Sequence, residues 1–318
     1  MHAALVTAFD APPRFASVDA PTPANDHEVV VDVLASGLHP RVRSQSDGSH
    51  YTSTDELPLV PGIDGVGRTS SGELRYFILE DTTMGAMAER TVIDLRRSIR
   101  LDDDADPVAV AAAMNPAMSS WVALRRRIDF KPGQSVLVLG ATGSAGQLAV
   151  QVARHLGAAH VVAAGRDETK LADLRGIGAD DVVSLAGEAS EVAARLGKAA
   201  ADVDVVIDYV WGQATAAAMV AIVTNRTDAG KPLSWIEIGS VGGPTADIPS
   251  AALRAARLSI VGSGQGSVPT RDFVAELPAL AAEISSGALT TNARAVPLAD
   301  VEAAWLSPAT GERVVITP

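Results

Sequence analysis

Residues 141–146, which read A-T-G-S-A-G, have the types and spacing that hold a phosphate group. They follow residues 136–139, an apolar run too short for a helix and typical of a strand buried on both faces of a parallel sheet. Beyond them, apolar residues recur at three- and four-residue intervals as far as Leu156, which predicts an amphipathic helix. A helix that opens at such a turn offers free N–H groups to an anion, so the stretch is predicted to bind a dinucleotide through its pyrophosphate.

The whole turn is assigned to the phosphate site: Ala141, Thr142, Gly143, Ser144, Ala145 and Gly146. In the dinucleotide fingerprint, Ala141 stands in place of the first glycine, Gly143 lets the backbone approach the pyrophosphate, and Gly146 lets the helix pack closely on the strand. A βα turn that needs glycine only for its geometry would show the same spacing. The flanking strand, the helix and a second apolar strand at 160–164 favour the dinucleotide interpretation.

The end of the second strand indicates which dinucleotide binds. An NAD site usually carries Asp or Glu there for the ribose 2′-hydroxyl, whereas this chain has Gly165 and Arg166. The guanidinium of Arg166 can pair with a 2′-phosphate, and Lys170 adds a second positive charge, so NADPH is favoured over NADH. In the alternative interpretation Asp167 is the ribose ligand and Arg166 is a solvated side chain, although Asp167 also suits the N-cap of the next helix.

Strands and helices alternate as far as residue 262, and this pattern predicts a doubly wound parallel sheet of six strands. Ligands bind at the carboxyl ends of the strands in such a sheet. The second half of the nicotinamide site is therefore expected at the carboxyl ends of the fourth and fifth strands, where the chain carries Tyr209, Val210, Trp211, Ile238, Gly239 and Ser240. Trp211 has an alternative role as a hydrophobic plug over the following helix.

The first part of the chain predicts a β-rich domain, because short strand candidates are separated by Pro, Gly, Asp and Ser clusters. The strand candidates are residues 3–9, 28–34, 65–69, 74–78 and 87–93. Residues 37–61 are interpreted as an ordered loop-rich segment that contains His39, His50 and Tyr51. From residue 105 two helices are predicted, the second opened by Pro116, with Asn115 as its N-cap or as a ligand contact.

Composition restricts the class of protein. The 318 residues are 47% hydrophobic, carry a net charge of -12 and include no cysteine. The charge argues against a nucleic-acid or anionic-membrane surface, and the missing cysteines exclude disulfides, thiolate metal sites and a thiol nucleophile. The N-terminus lacks a basic region followed by a long apolar core, so a cytoplasmic protein is the expectation.

Several motifs in order resemble the medium-chain dehydrogenase/reductase superfamily, and within it the zinc-independent quinone oxidoreductase branch. They read L-P-L-V-P-G-I-D-G-V-G, K-P-G-Q-S-V-L-V-L-G-A-T-G-S-A-G, D-V-V-I-D-Y-V-W-G and G-E-R-V-V-I-T-P. The resemblance implies a GroES-like β-rich domain over residues 1–115, completed by about 295–318, and a Rossmann-type domain over 116–294. It also implies a cleft between the two domains, commonly a homodimer, and hydride transfer from NADPH to a quinone or an α,β-unsaturated carbonyl.

The same resemblance indicates that a catalytic zinc is absent. Zinc-containing alcohol dehydrogenases of the superfamily surround their metal with a Cys, a His-Glu pair and a further Cys or Asp. Here His39 falls about where the first Cys would lie, and Ile63 and Asp64 fall where His-Glu would lie. One imidazole and one carboxylate are too few for the usual tetrahedral site.

Without a metal, a phenol or an imidazole must donate a hydrogen bond or a proton to the substrate oxygen. Tyr51 is the first candidate, because related quinone reductases carry a tyrosine in this part of the cleft, and His50 is the second. Both residues are also compatible with an ordinary solvated loop. A second function class also fits the sequence, an NADPH-binding sensor or structural protein with little turnover, since a fold does not fix a function.

Overall fold

The structure is a computed structural model that describes residues 1–264, 266–307 and 311–318. It contains two compact units. The first unit is Met1–Asn115 with Phe273–Pro318, and the second unit is Pro116–Asp272. From the sequence, the return of the chain to the first unit was predicted at about residue 295, and in the structure it begins at Phe273.

The strands are β1 His2–Leu5, β2 Arg14–Ser17, β3 Glu28–Leu38, β4 Asp64–Thr69, β5 Leu74–Ile78, β6 Arg90–Asp94, β7 Ser98–Arg100, β8 Ser135–Leu139, β9 His160–Gly165, β10 Asp181–Ser184, β11 Val205–Asp208, β12 Leu233–Glu237, β13 Leu258–Gly262, β14 Ala293–Pro297 and β15 Arg313–Thr317. The helices are α1 Pro40–Ser46, α2 Pro107–Val122, α3 Ser144–His155, α4 Glu168–Asp173, α5 Ala189–Ala199, α6 Gly212–Asn225, α7 Ser250–Ala255, α8 Thr270–Val274, α9 Leu277–Ser285 and α10 Val301–Leu306.

The second unit is built on a six-stranded parallel sheet in the order β10-β9-β8-β11-β12-β13. The central strands β8 and β11 are almost wholly buried, as their continuous apolar sequences predict. The strand order reverses between these two strands, which places the ligand-binding crevice of a doubly wound sheet at their carboxyl ends. The mixed α/β fold with a Rossmann-type sheet is therefore confirmed.

The first unit is built on a sheet of mainly antiparallel strands in the order β14-β15-β3-β4-β5-β7, with β6 also paired to β3. Antiparallel pairing of β15 with the end of β3 brings the C-terminal tail into this sheet. Alternate residues of β3 and their neighbours on β5 and β6 form an apolar cluster that includes Val31, Val33, Phe77 and Ile93. This one-sided burial is typical of antiparallel sheets.

One local prediction was incomplete and one was wrong. The segment 37–61 is mostly loop, as predicted, but it also contains helix α1, which has Pro40, a residue typical of a helix start, in its first turn. Helix α2 is continuous through Asn115 and Pro116, so Asn115 is not an N-cap. Burial of the residues around Pro116 outweighs the single backbone hydrogen bond that proline removes.

The N-cap of α2 is Asp106, whose Oδ1 accepts hydrogen bonds from the backbone N–H groups of Val108 at 2.8 Å and Ala109 at 3.3 Å. By length and composition, residues Pro107–Arg127 would be able to cross a membrane. Since 72% of the tested window is buried inside the protein, it has the character of a core helix. This composition is weak evidence for a membrane span.

A polar network around Asp64 lies in the core of the first unit. Asp64 begins β4 and is 1% exposed, and its Oδ1 lies 3.1 Å from Nε2 of His39. Burial lowers the pKa of His39, against the opposing hydrogen bond to Asp64, so the ring is neutral near pH 7. Because a carboxylate only accepts hydrogen bonds, the His39 proton is on Nε2.

The other carboxylate oxygen of Asp64, Oδ2, also accepts a hydrogen bond. The hydroxyl of Tyr76 donates to Oδ2 at 2.7 Å, and burial first and Asp64 second raise the pKa of Tyr76 well above its ordinary value. Arg313, at the start of β15, supplies a nearby positive charge. Burial lowers the pKa of Arg313 to about 10, while Asp64 opposes this shift. The carboxylate is thus stabilised by two hydrogen-bond donors and a buried cation.

We expect Tyr76→Phe to lower the free energy of unfolding by about 1–3 kcal/mol, because it leaves an oxygen of Asp64 buried without a donor. The measurement is chemical denaturation. Tyr209→Phe is the matched control, since the Tyr209 hydroxyl bonds a neutral partner, Oγ of Ser119, at 2.7 Å. An equal or larger loss in the control would contradict the importance assigned to Asp64.

Candidate functional site

Two glycines, Gly140 and Gly146, give the glycine-rich turn its shape. Gly140, directly after β8, has a φ of 86°, in the region that favours glycine. A Cβ on Gly146 would lie 2.2 Å from the carbonyl oxygen of Gly140, so α3 reaches this position only because residue 146 has no side chain. Gly146 has the packing role predicted for it, and the tight turn is made by Gly140 rather than at Ala141.

The start of α3 fits a diphosphate. Gly143 is exposed and occupies the N-cap position, with no side chain capping the helix. A Cβ placed on Gly143 would meet only the Gly140 oxygen within 4 Å, at 3.5 Å, so it would project into open space. The first-turn N–H groups, with the positive end of the helix dipole, are therefore available to an anion at this place.

Thr142 links the turn to the end of β9. A Cβ on Gly165 would lie 2.4 Å from Cγ2 of Thr142, which shows how closely the threonine packs on that strand. The glycine-rich turn therefore lies directly beside the end of β9, one residue before Arg166.

Arg166 and Asp167 have different environments. Arg166 is exposed and, in the described ranges, makes no hydrogen bond or ion pair. Asp167 is the N-cap of α4 and accepts a hydrogen bond from the backbone N–H of Lys170 at 3.1 Å, the main cause of its lowered pKa. The Nζ of Lys170 also lies 3.6 Å from Asp167. Asp167 is thus engaged as a cap, whereas the Arg166 guanidinium is available to a phosphate.

At the carboxyl end of β11, the buried carboxylate of Asp208 holds the turn that follows. Its Oδ1 accepts from the backbone N–H groups of Val210 at 2.8 Å and Trp211 at 3.0 Å. Its Oδ2 accepts from Oγ1 of Thr215 at 2.7 Å and from Nε1 of Trp235 at 2.9 Å. Four donors satisfy the fully buried carboxylate and fix the turn in one conformation.

Trp211 carries backbone strain in this turn. With φ of 53° and ψ of −165°, it is the one non-glycine residue with positive φ in the described part of the chain. Such a conformation costs about 1–3 kcal/mol and persists only where the surroundings hold it. Here the surroundings are Asp208 and the turn after β12, whose Gly242 N–H donates to the Val210 carbonyl at 2.6 Å.

The structure brings most of the predicted strand-end residues together. Tyr209 packs beside the glycine-rich turn, since a Cβ on Gly140 would lie 3.2 Å from its Cβ. The N–H groups of Ile238 and Gly239 donate to the Asp208 carbonyl at 2.8 and 3.2 Å. The N–H of Gly239 is therefore used within the protein, and Ser240 is exposed. Burial raises the pKa of Tyr209 to about 12, so its phenol is neutral.

His50 and Tyr51 lie in the loop after α1. Tyr51 is 74% exposed, and its ring centroid is 4.3 Å from that of His50. Nδ1 of His50 lies 2.9 Å from Oγ1 of Thr52. The loop is bound to the ion pair of Arg41 and Asp81. Arg41, Thr52 and Asp81 were not predicted from the sequence, because no motif marks residues this far apart as neighbours.

By the resemblance given above, His39, Ile63 and Asp64 stand where zinc-containing alcohol dehydrogenases carry metal ligands. Both carboxylate oxygens of Asp64 bind within the protein, to His39 and Tyr76, and Ile63 belongs to an apolar cluster with Leu38 and Val42. Across residues 1–264, 266–307 and 311–318 there is no group of three His, Cys, Asp or Glu side chains that could hold a metal. The donor set therefore does not fit a tetrahedral zinc.

Both the sequence and the fold of this chain are similar to those of known proteins. The chain is 31% identical, over the full length of both proteins, to the probable NADPH-dependent quinone reductase tdiC of Emericella nidulans. This chain belongs to the medium-chain dehydrogenase/reductase superfamily, in its quinone oxidoreductase branch. It is an oxidoreductase that uses NADPH. Residues 145–283 match the family model described as zinc-binding dehydrogenase.

Other relatives carry related names. The quinone oxidoreductase of Thermus thermophilus, whose structures include a complex with NADPH, superposes with a TM-score of 0.81, 25% identity and full coverage of both chains. The chloroplastic NADPH-dependent alkenal/one oxidoreductase of Arabidopsis thaliana is 28% identical over 49% of this chain and 44% of that protein.

We expect Gly143→Ala to weaken NADPH binding about tenfold, roughly 1.4 kcal/mol, because the added methyl projects into the space beside the α3 N-terminus. Its φ of -78° is open to alanine, so the fold should be unchanged. Titration of NADPH measures the affinity, and thermal unfolding checks the fold. Gly146→Ala is the contrast and should destabilise the protein. Unchanged NADPH affinity in Gly143→Ala would argue against this phosphate site.

Arg166→Ala should weaken NADPH binding about ten- to a hundredfold and leave NADH binding nearly unchanged, because a charge-assisted contact to the 2′-phosphate is worth about 1.5–3 kcal/mol. Lys170→Ala is the matched control, and its effect should be smaller because Lys170 already pairs with Asp167. Equal affinity of the unmodified protein for NADPH and NADH would count against the assignment.

Proposed function

We propose that this protein reduces quinones or α,β-unsaturated carbonyl compounds with NADPH, that it needs no zinc, and that the Tyr51 hydroxyl hydrogen-bonds the substrate oxygen. When bound, NADPH supplies the hydride. The observation that carries the proposal is the internal use of both Asp64 oxygens, so that, in the described part of the chain, the residues around Ile63 offer too few ligands for a zinc that would polarise a substrate carbonyl. A hydrogen-bond donor must then stabilise the charge that develops on oxygen.

The residues of the second unit are proposed to bind and orient the cofactor. The α3 N-terminus at Gly143 holds the pyrophosphate, and Arg166 with Lys170 holds the 2′-phosphate. The two turns that Asp208 binds together, after β11 and β12, position the nicotinamide end, with Val210 and Ser240 among the contacts. Their rigidity supports this role, because hydride transfer requires the reacting carbons to be held close and aligned.

In the first unit the exposed phenol of Tyr51 supports the donor role. A neutral phenol can donate a hydrogen bond to a quinone or enone oxygen and can give up its proton as the oxygen gains charge. The names of the relatives, quinone reductases and an alkenal/one oxidoreductase, support this class of substrate. The same family supports a homodimer, which analytical ultracentrifugation would measure.

We expect steady NADPH oxidation with quinones and enones, little with saturated ketones, and the same rates after prolonged chelation. The physical reason is that hydride addition to a conjugated acceptor gives a delocalised enolate or quinol anion, which one hydrogen bond stabilises more easily than the localised alkoxide formed from a saturated ketone. Tight NADPH binding without turnover on any acceptor would favour the sensor function. Loss of activity on chelation, restored by zinc, would contradict the metal-free mechanism.

Tyr51→Phe keeps the ring and removes the donor, so kcat should fall about 10²-fold while NADPH affinity stays the same. Steady-state kinetics with an enone, together with an NADPH titration, measures both quantities. A rise in KM with kcat preserved would mean that Tyr51 only orients the substrate. Full activity in Tyr51→Phe would remove Tyr51 from the chemical step.

A further inference from the structure

A buried ion pair anchors the loop that carries His50 and Tyr51. Arg41, in the first turn of α1, pairs with Asp81, in the loop that follows β5, and their side chains are only 16% and 7% exposed. The Thr52 hydroxyl lies between them, accepting from Nη2 of Arg41 at 2.7 Å and donating to Oδ2 of Asp81. In the described ranges, Nη1 of Arg41 and Oδ1 of Asp81 are buried without partners, which lowers stability.

The proton of the Thr52 hydroxyl determines the hydrogen bond to His50. Arg41 is only a donor, and the carboxylate of Asp81 is only an acceptor. The single hydroxyl proton of Thr52 therefore belongs to the bond with Asp81, and Oγ1 can only accept from its other neighbours. Nδ1 of His50 lies 2.9 Å from this oxygen, so Nδ1 must carry the proton in that bond.

A second contact of His50 would require an unprotonated Nδ1. The backbone N–H of Thr52 lies 3.3 Å from Nδ1 of His50 and would require a lone pair there. This contact is longer than the 2.9 Å contact with the hydroxyl oxygen. The hydroxyl bond is stronger at its shorter distance, and Asp81 already holds the hydroxyl proton, so protonated Nδ1 is the arrangement that satisfies the cluster.

His50 is also neutral in this environment. The ionisable groups that face it are Arg41, Asp81 and the neighbouring phenol of Tyr51. Burial first and the Arg41 cation second lower the pKa of His50, while Asp81 opposes them. A neutral ring protonated on Nδ1 has a lone pair on Nε2.

We propose that Thr52 and Asp81 are positioning residues that fix His50 as the neutral Nδ1–H tautomer, so that its Nε2 accepts a hydrogen bond and cannot donate the proton in the reaction. The assignment of the proton donor to Tyr51 rests on the function proposed above. The tautomer itself does not depend on that function. Of the two candidate donors in this loop, only the phenol then carries a proton that it can give to a substrate oxygen.

The test is nitrogen-15 NMR of the whole protein labelled in its histidine rings, with the His50 signals assigned by their loss in His50→Gln. Near pH 7 we expect Nδ1 of His50 to be protonated and Nε2 to be unprotonated. Thr52→Val keeps the shape of the side chain and removes the acceptor, so it should shift His50 toward Nε2–H, the form that neutral histidine prefers in water. Thr52→Ser should restore the original pattern.

A protonated Nε2 in the unmodified protein, or an unchanged tautomer in Thr52→Val, would overturn the proposal. These spectra need no substrate, so they decide the tautomer even if no acceptor is reduced and the proposed function fails. Kinetics tests the remaining part. A loss of kcat in Tyr51→Phe that far exceeds the loss in His50→Gln is the expected result, and the reverse order would overturn the assignment of the proton donor.

Discussion

The close approach of α3 to the end of β8 is the constraint on which the candidate cofactor site of the second unit depends. With Gly146 against the Gly140 carbonyl, the helix begins directly over the central strand, and any side chain at residue 146 would push it away. The approach places the uncapped helix N-terminus at the point where the strand order of the sheet reverses. We infer that phosphate would bind here through backbone geometry, and we propose that the side chains around it, Arg166 first, select which dinucleotide binds.

The buried carboxylate of Asp208 holds the turn after β11 at the same edge of the sheet. A buried carboxylate is unfavourable unless donors surround it, and here four donors do so. Part of the stabilisation offsets the strained backbone of Trp211. Strain held in place by a buried polar group is common at functional sites, because it keeps a turn in one geometry. The cluster of Arg41, Thr52 and Asp81 in the first unit is another buried polar group that fixes a loop.

The sequence was sufficient to predict structure where the residues that determine a feature are close together in the chain. The buried strand, Gly143 and Gly146 lie close together in the sequence, and each has a physical reason for its position, so the parallel sheet and the close packing of the glycine-rich turn were predictable. The continuous α2 was not, since Pro116 is a local signal that tertiary burial overrides. The contacts of Asp64 with Tyr76 and of Arg41 with Asp81 join separate elements, and no spacing rule connects such residues. Asp208 stood within a motif, yet only the structure shows its four donors.

The proposed function depends on direct hydride transfer from the nicotinamide to a conjugated carbon of the substrate. The most direct measurement uses NADPH that carries deuterium at C4 of the nicotinamide, an enone substrate, and mass spectrometry of the product. With protein shown to be free of metal, we expect one deuterium on the carbon β to the carbonyl when one face of C4 is labelled, and none when only the other face is labelled. A reduced product without deuterium, or deuterium transfer that depends on added zinc, would contradict it.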